Sequence, residues 1–419
     1  MRQPFTPSGA LGTVGHAVFP QPTKLSHARS CRSEWGSPRT ELPVVSDRAR
    51  LRNVQALRAV AAVAVVLAHL GGTTGIEDTW LAGDYGWLRP LHFPGNAGVD
   101  LFFVISGLIM VVTASRMTAG TASAGTFLYR RATRIYPVYW VATLPVLALF
   151  LLAPQMVNSS ASAPPRILES LLLFPQPGAP LLLVGWTLTF ELYFYLVFAL
   201  ALLLPPRRRP LVLGAWGAVI VALAFAFPTT TQPWLALVSS PLSLEFLFGA
   251  VVGWLILQRR FVSPVAVTVV GGIAATAAIW LGGEAVTGGW YRAVVVGGLL
   301  AVFVYGVVGL EATDRLVAPR WLQTLGDASY SLYLWHVLIL AAMGRFLLAR
   351  LPDNAAVHGL ALVSTFAVVI VGSSIAYRLI ERPLLRLFRG RQKRPGQAPA
   401  SIADRTPAAN ASGHSHAPK

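Results

Sequence analysis

Arg52-Asn53-Val54-Gln55-Ala56-Leu57-Arg58-Ala59-Val60-Ala61-Ala62-Val63-Ala64-Val65-Val66-Leu67-Ala68-His69-Leu70 is the stretch on which the fold turns. Residues 53–70 approach the ~20 helical residues that a bilayer requires, with Arg58 and His69 as their only ionisable side chains. Lipid offers no partner to unpaired backbone groups, so such a segment must be helical. The two ionisable residues stand eleven positions apart, which on a helix is three turns plus ~20°, or ~16 Å along the axis. They therefore share a face, one near each side of the membrane. Taken singly, Arg58 reads as snorkelling to the inner headgroups and His69 as an interface residue. Taken together they suggest a polar path through the bundle.

Nine further apolar segments are present, at 97–115, 135–153, 183–204, 210–228, 241–257, 263–281, 291–310, 327–349 and 359–378. Of the 419 residues, 54% are hydrophobic and only 12% charged, half the charged share of an ordinary soluble domain, ~25%. The expected fold class is therefore an all-α integral membrane protein, a bundle of about ten transmembrane helices with both termini cytoplasmic. Residues 1–50 read as a disordered basic cytoplasmic arm without the apolar run of a signal peptide, 51–388 as the membrane domain, and 389–419 as a disordered cytoplasmic tail. The single cysteine, Cys31, excludes a disulfide framework or a thiolate metal cluster built by one chain.

A net charge of +17 on a soluble protein would suggest nucleic-acid binding. Sorted by topology it means something else. With the amino terminus inside, 28 of the 34 Lys and Arg fall in cytoplasmic segments and five (Arg89, Arg166, Arg292, Arg345 and Arg350) in outer ones, as the positive-inside rule requires. Nucleic acid is accordingly not an expected partner; membrane lipid is.

Ionisable groups inside spans point to function. Asp100 lies about one turn into the second span, at roughly the depth of His69, where a carboxylate could orient an imidazole or serve only as a helix N-terminal charge. Ser106 and Gly107 read as small residues that permit close packing. Glu191 lies in the fourth span, Glu245 in the sixth and His336 near the middle of the ninth. Arg130, Arg131 and Arg134, beside Tyr136-Pro137 in the loop read at 116–134, are anchoring charges or bidentate donors to a phosphorylated ligand.

In this order the motifs resemble the acyltransferase 3 family of integral membrane acyltransferases. They are Arg58 with His69, Gly98-Val99-Asp100-Leu101-Phe102-Phe103 through Ser106-Gly107, Arg130 to Pro137, Trp186-Thr187-Leu188 through Glu191, Glu245-Phe246-Leu247-Phe248-Gly249, Leu325-Gly326 through Ser329-Tyr330 to Trp335-His336, and Glu381-Arg382-Pro383. The likeness spans residues 52–388; Leu338 stands where members often carry proline. It implies transfer of an acyl group, acetyl in the simplest case, from cytoplasmic acyl-CoA to a hydroxyl of a glycan, glycolipid or related acceptor at the outer face. No metal and no permanently bound cofactor is expected, acyl-CoA being the donor substrate.

The expected division of labour has His69 as general base, with Asp100 or Glu191 orienting it. Arg58, Arg130, Arg131 and Arg134 would hold acyl-CoA, and Glu245, Tyr330, Trp335 and His336 would line the cavity. The alternative class is a multi-span transporter or flippase of an envelope glycan precursor without acyl-transfer chemistry; the absence of an internal repeat speaks against it.

Overall fold

The structure is a computed structural model, and it describes residues 51–70, 92–157, 163–352 and 354–389. The basic arm expected at 1–50 and the tail from 390 onward lie outside the described residues, as does the loop holding Arg89. Regular structure among the described residues is entirely helical.

The principal helices are α1 (Arg52–Leu70), α2 (His92–Ala114), α3 (Thr121–Leu152), the short α4 (Ile167–Leu172), α5 (Gly185–Leu202), α6 (Arg209–Ala226), the short α7 (Pro233–Val238) and α8 (Leu244–Leu257). They continue as α9 (Pro264–Leu281), α10 (Gly297–Ala312), the short α11 (Arg320–Asp327), α12 (Ser329–Phe346), α13 (Ala355–Ala376) and α14 (Arg382–Arg389). Among the described residues nine helical stretches are long and apolar enough to span a bilayer, and α8 with its lead-in, Pro241–Leu257, is a shorter apolar helix at the place of the sixth expected span. The protein is thus an all-α, multi-pass membrane protein, with each expected span met by a helix.

The largest boundary difference lies at the start of the third span. The segment 116–134, expected as a loop, is helical from Thr121, so α3 runs 32 residues and carries its arginines on a regular helix. The reason is local: nothing between Thr121 and Ile135 breaks a helix except Gly125, which a helix tolerates at ~1 kcal/mol.

Packing follows from small residues. A Cβ on Gly249 of α8 would lie 1.9 Å from the Val104 carbonyl oxygen of α2, and one on Gly107 of α2 would lie 2.0 Å from that of Phe246. The two backbones are in direct contact, which lets dispersion do the work that the hydrophobic effect cannot do in lipid. The start of α1 is tied to α10 by Glu311, whose carboxylate accepts from the backbone N–H groups of Arg52 (2.9 Å) and Asn53 (2.8 Å). That satisfies two of the four donors orphaned at a helix start and places a negative charge at its positive end.

Two departures from α-helical winding position functional groups. Tyr291–Val296, leading into α10, and Tyr377–Glu381, following α13, are π-helical turns. A π-turn adds a residue to the repeat and rotates the side chains beyond it to a new face. The first buries Arg292 and the second buries Glu381.

Candidate active site

Five helices converge on one cavity. Arg58 enters it from α1, Ser106 from α2, Arg131 and Arg134 from α3, Glu191 and Tyr195 from α5, and Tyr330 and Tyr333 from α12. On a helix Arg134 projects between the directions of Arg130 and Arg131. The cavity lies on the Arg131 side, so Arg131 and Arg134 border it while Arg130 is exposed and does not. Arg131 is flanked by rings, its guanidinium carbon 5.4 Å from the centre of Phe127 and 5.7 Å from that of Tyr195.

Glu191 is the carboxylate of this cavity. It accepts hydrogen bonds from Tyr195, one turn along α5, and from the Ser106 hydroxyl at 3.1 Å. Ser106 therefore does more than permit packing: it holds Glu191. Tyr330 is held in turn by its hydroxyl donating to the Ile135 carbonyl at 2.9 Å. Three guanidinium groups stand against Glu191 in the lining and the buried Glu381 behind Arg58 and Arg134, which still leaves the balance positive, the character that suits an anionic, phosphate-bearing ligand.

One wall of the cavity is aromatic. Phe102 and Tyr333 meet edge-on at 5.9 Å, and the Tyr333 hydroxyl lies 2.6 Å from the hydroxyl of Thr187. One turn further along α12 stands His336, its ring 6.0 Å from that of Tyr333 and 5.0 Å from that of His69. Each histidine holds Nδ1 against the carbonyl four residues back in its own helix, Val65 at 2.9 Å for His69 and Leu332 at 3.1 Å for His336. A carbonyl only accepts, so in both neutral rings Nδ1 carries the hydrogen and Nε2 the lone pair. A backbone carbonyl thus performs the tautomer-fixing task expected of Asp100 or Glu191. Nε2 of His336 is buried and has no partner among the described residues.

Asp100 is engaged elsewhere. Its carboxylate receives Arg292 through Nε at 2.8 Å and Nη2 at 2.7 Å, with both side chains almost fully buried. The remaining Arg292 donors reach the carbonyls of Thr287 and Asn96, each at 3.2 Å. A buried guanidinium must be paired or it carries the full desolvation penalty, and this one recruits Asp100. The expectation that Asp100 orients His69 gives way to this pairing, and Arg292, expected as an outer-loop charge, is an interior residue. Glu245 is fully buried and packs against Gly297 at the start of α10; it belongs with Asp100 and Arg292 rather than to the arginine cavity.

Of the residues expected to line the cavity, Tyr330 does so. His336 stands behind Tyr333, while Trp335 has a buried indole N–H without a partner among the described residues and does not border the cavity. Tyr195 and Tyr333 were legible only in hindsight: Tyr195 lies at the i+4 position from Glu191, and Tyr333 three residues before His336.

A family model described as an acyltransferase domain matches residues 51–378. The chain belongs to the acyltransferase 3 family. It is 38% identical over 325 residues to the exopolysaccharide production protein ExoZ of Rhizobium meliloti (strain 1021), covering 73% of this chain and 95% of that protein. It is 29% identical over 362 residues to BcsY of Komagataeibacter xylinus, named as a membrane-bound transacylase, covering 80% and 82%. Nodulation protein 10 of Rhizobium leguminosarum bv. viciae is 25% identical over 326 residues, covering 69% and 82%. No solved structure matches the chain. This protein is thus a multi-pass membrane acyltransferase, which sets aside the transporter alternative.

Proposed function

We propose that this acyltransferase moves an acyl group from cytoplasmic acyl-CoA to a hydroxyl of an exopolysaccharide, or of its lipid-linked precursor, at the outer face of the membrane. The observation that carries the reading is the adjacency of two groups. Arg58, Arg131 and Arg134 border one cavity, and the tyrosine in its aromatic wall, Tyr333, touches the His336–His69 pair. The name of the ExoZ relative supports a polysaccharide acceptor.

The arginines bind the CoA phosphates from the side on which positive charge accumulates. Nε2 of His69 accepts the proton of the acceptor hydroxyl as its oxygen attacks the thioester carbonyl. The carbon–sulfur bond breaks, the electrons leave on the CoA sulfur, and the imidazolium returns the proton to that thiolate. Arg130 has no part in donor binding in this scheme, because it faces away from the cavity.

Membranes containing the protein, incubated with labelled acetyl-CoA and de-acylated exopolysaccharide, should transfer label to the glycan. Absence of transfer under conditions where the protein is folded and inserted overturns the reading.

A further inference from the structure

A second cleft lies beside the arginine cavity, with α5 between them. It is built by the α3–α5 connection, by α7 and by the first turns of α5. Trp186 and Phe190, one turn apart on α5, line it with rings at 5.9 Å and 88°; Phe174 lines it too, its ring 5.7 Å from that of Trp234. Phe174 and Trp234 are 46% and 57% exposed, so their rings stand open at the cleft.

The polar lining is as informative as the rings. Glu169, paired with Arg166 at 3.3 Å, and Gln176 border the cleft, and among the described residues no lysine or arginine lines it. Gln176 is fixed in place: its oxygen accepts from the Arg166 backbone N–H at 2.8 Å and its amide donates to the Ser170 hydroxyl at 3.1 Å. That hydroxyl also accepts from the Leu181 backbone N–H at 3.0 Å, so the connection is pinned at both ends. Among the described residues the amide keeps an unused N–H and an unused lone pair for a ligand.

We propose that this cleft binds a sugar ring of the acceptor glycan, an inference that rests on the polysaccharide reading above. A pyranose has a face of C–H groups whose slightly positive hydrogens settle on the negative face of an aromatic ring. It also has a rim of hydroxyls that need acceptors and donors, which Glu169 and Gln176 supply. A phosphate headgroup would call for guanidinium or ammonium donors, which the described lining lacks, and an acyl chain would leave the second carboxylate oxygen of Glu169 and the second amide N–H of Gln176 facing hydrocarbon.

Position joins the cleft to the chemistry. Trp186 and Phe190 of α5 face the cleft, while Thr187 and Glu191 of the same turns face the arginine cavity. Thr187 touches Tyr333, and Tyr333 touches His336. A glycan anchored in the cleft is therefore held one helix away from the imidazole pair, with donor and acceptor on opposite sides of α5.

The test uses the full-length protein in nanodiscs and, as probe, oligosaccharides cut from the producing strain's own de-acylated exopolysaccharide. Binding is read from tryptophan fluorescence and transfer from labelled acetyl-CoA. The wild type should show saturable quenching, and Phe174→Ala and Trp186→Leu should each weaken it about tenfold, the loss of one ring contact. The same variants should raise the acceptor KM and not the donor KM. Trp280→Ala, an exposed tryptophan on α9 outside the cleft, should bind as the wild type does. Quenching lost in the two cleft variants but without acyl transfer by any form would sustain the cleft while the acyl-transfer reading falls. Transfer to glycan with binding and acceptor KM unchanged in both variants, or no saturable binding at all, would overturn the cleft and leave that reading standing.

Discussion

The rings of His69 and His336 meet edge-on, with centres 5.0 Å apart and planes at 73°, across the α1–α12 contact. Each ring is turned by a carbonyl of its own helix so that Nδ1–H points inward along the backbone. The consequence is two adjacent imidazoles whose basic nitrogens are Nε2, prepared before any substrate arrives. No carboxylate is needed to set the tautomer, since each imidazole is oriented by the helix that carries it.

His69→Ala should remove acyl transfer, with a loss of about 10²–10⁴-fold in kcat, the contribution of a positioned general base. Initial rates with labelled acetyl-CoA check it, alongside size-exclusion elution to establish that the variant remains folded. Near wild-type turnover in a correctly folded His69→Ala protein would remove His69 from the chemistry.

On the proposed chemistry His336 acts through His69, whose ring it meets at 5.0 Å, rather than on substrate. His336→Phe preserves a ring at the contact but removes the buried nitrogen, and should lower kcat less than His69→Ala does while leaving both KM values near wild type. A shift in the pH–rate profile relative to wild type, measured on the same preparation, would separate an effect on the base from a packing effect.

The three arginines of α3 divide. Arg131→Ala and Arg134→Ala should each weaken acyl-CoA binding by ~1.5–3 kcal/mol, the usual value of a hydrogen bond to a charged group. Arg130→Ala, whose side chain is exposed, should change the donor KM little. Donor titration by calorimetry reads the difference, and equal losses at all three positions would contradict the geometry.

Asp100 and Arg292 form a buried pair, and removing one partner strands the other. Arg292→Leu or Asp100→Leu should each destabilise the protein by ~3–5 kcal/mol, whereas the double replacement with leucines should recover much of that loss. Thermal unfolding in detergent, followed for the two single variants and the double, supplies the cycle. Additive losses would mean the pair is not coupled.

Gly249→Ala places a methyl 1.9 Å from the Val104 carbonyl oxygen and should destabilise the α2–α8 crossing by ~1–3 kcal/mol. Gly298→Ala, on α10 with open space around it, is the matched control and should be neutral within ~0.5 kcal/mol. Detergent melting temperatures compare the two directly.

Much of the site is legible in the chain because helical geometry is regular. Arg58 and His69 share a face by arithmetic alone, and in the structure one borders the arginine cavity while the other meets His336. Glu191 is conspicuous as a carboxylate in an apolar helix. Its holders, Ser106 and Tyr195, are less so, since a serine and a tyrosine in a span pass equally well for packing residues. Glu381 and Ser331 come from two separate motifs, and their contact at 2.6 Å is a fact of the folded chain.

Hydropathy by itself determines that this is an all-α membrane protein and how many segments approach the length of the bilayer. Those quantities depend on each segment and the solvent around it, and they need no knowledge of neighbours. Tertiary structure alone decides which helix face meets which. Gly107 and Gly249 draw α2 and α8 into backbone contact, and a π-turn swings Arg292 inward to claim Asp100. A period of 3.6 residues read along the chain carries no mark of where an extra residue enters a turn. The partner of Asp100, the separation of Arg131 from Arg130 and the meeting of His69 with His336 were therefore settled only when the helices packed.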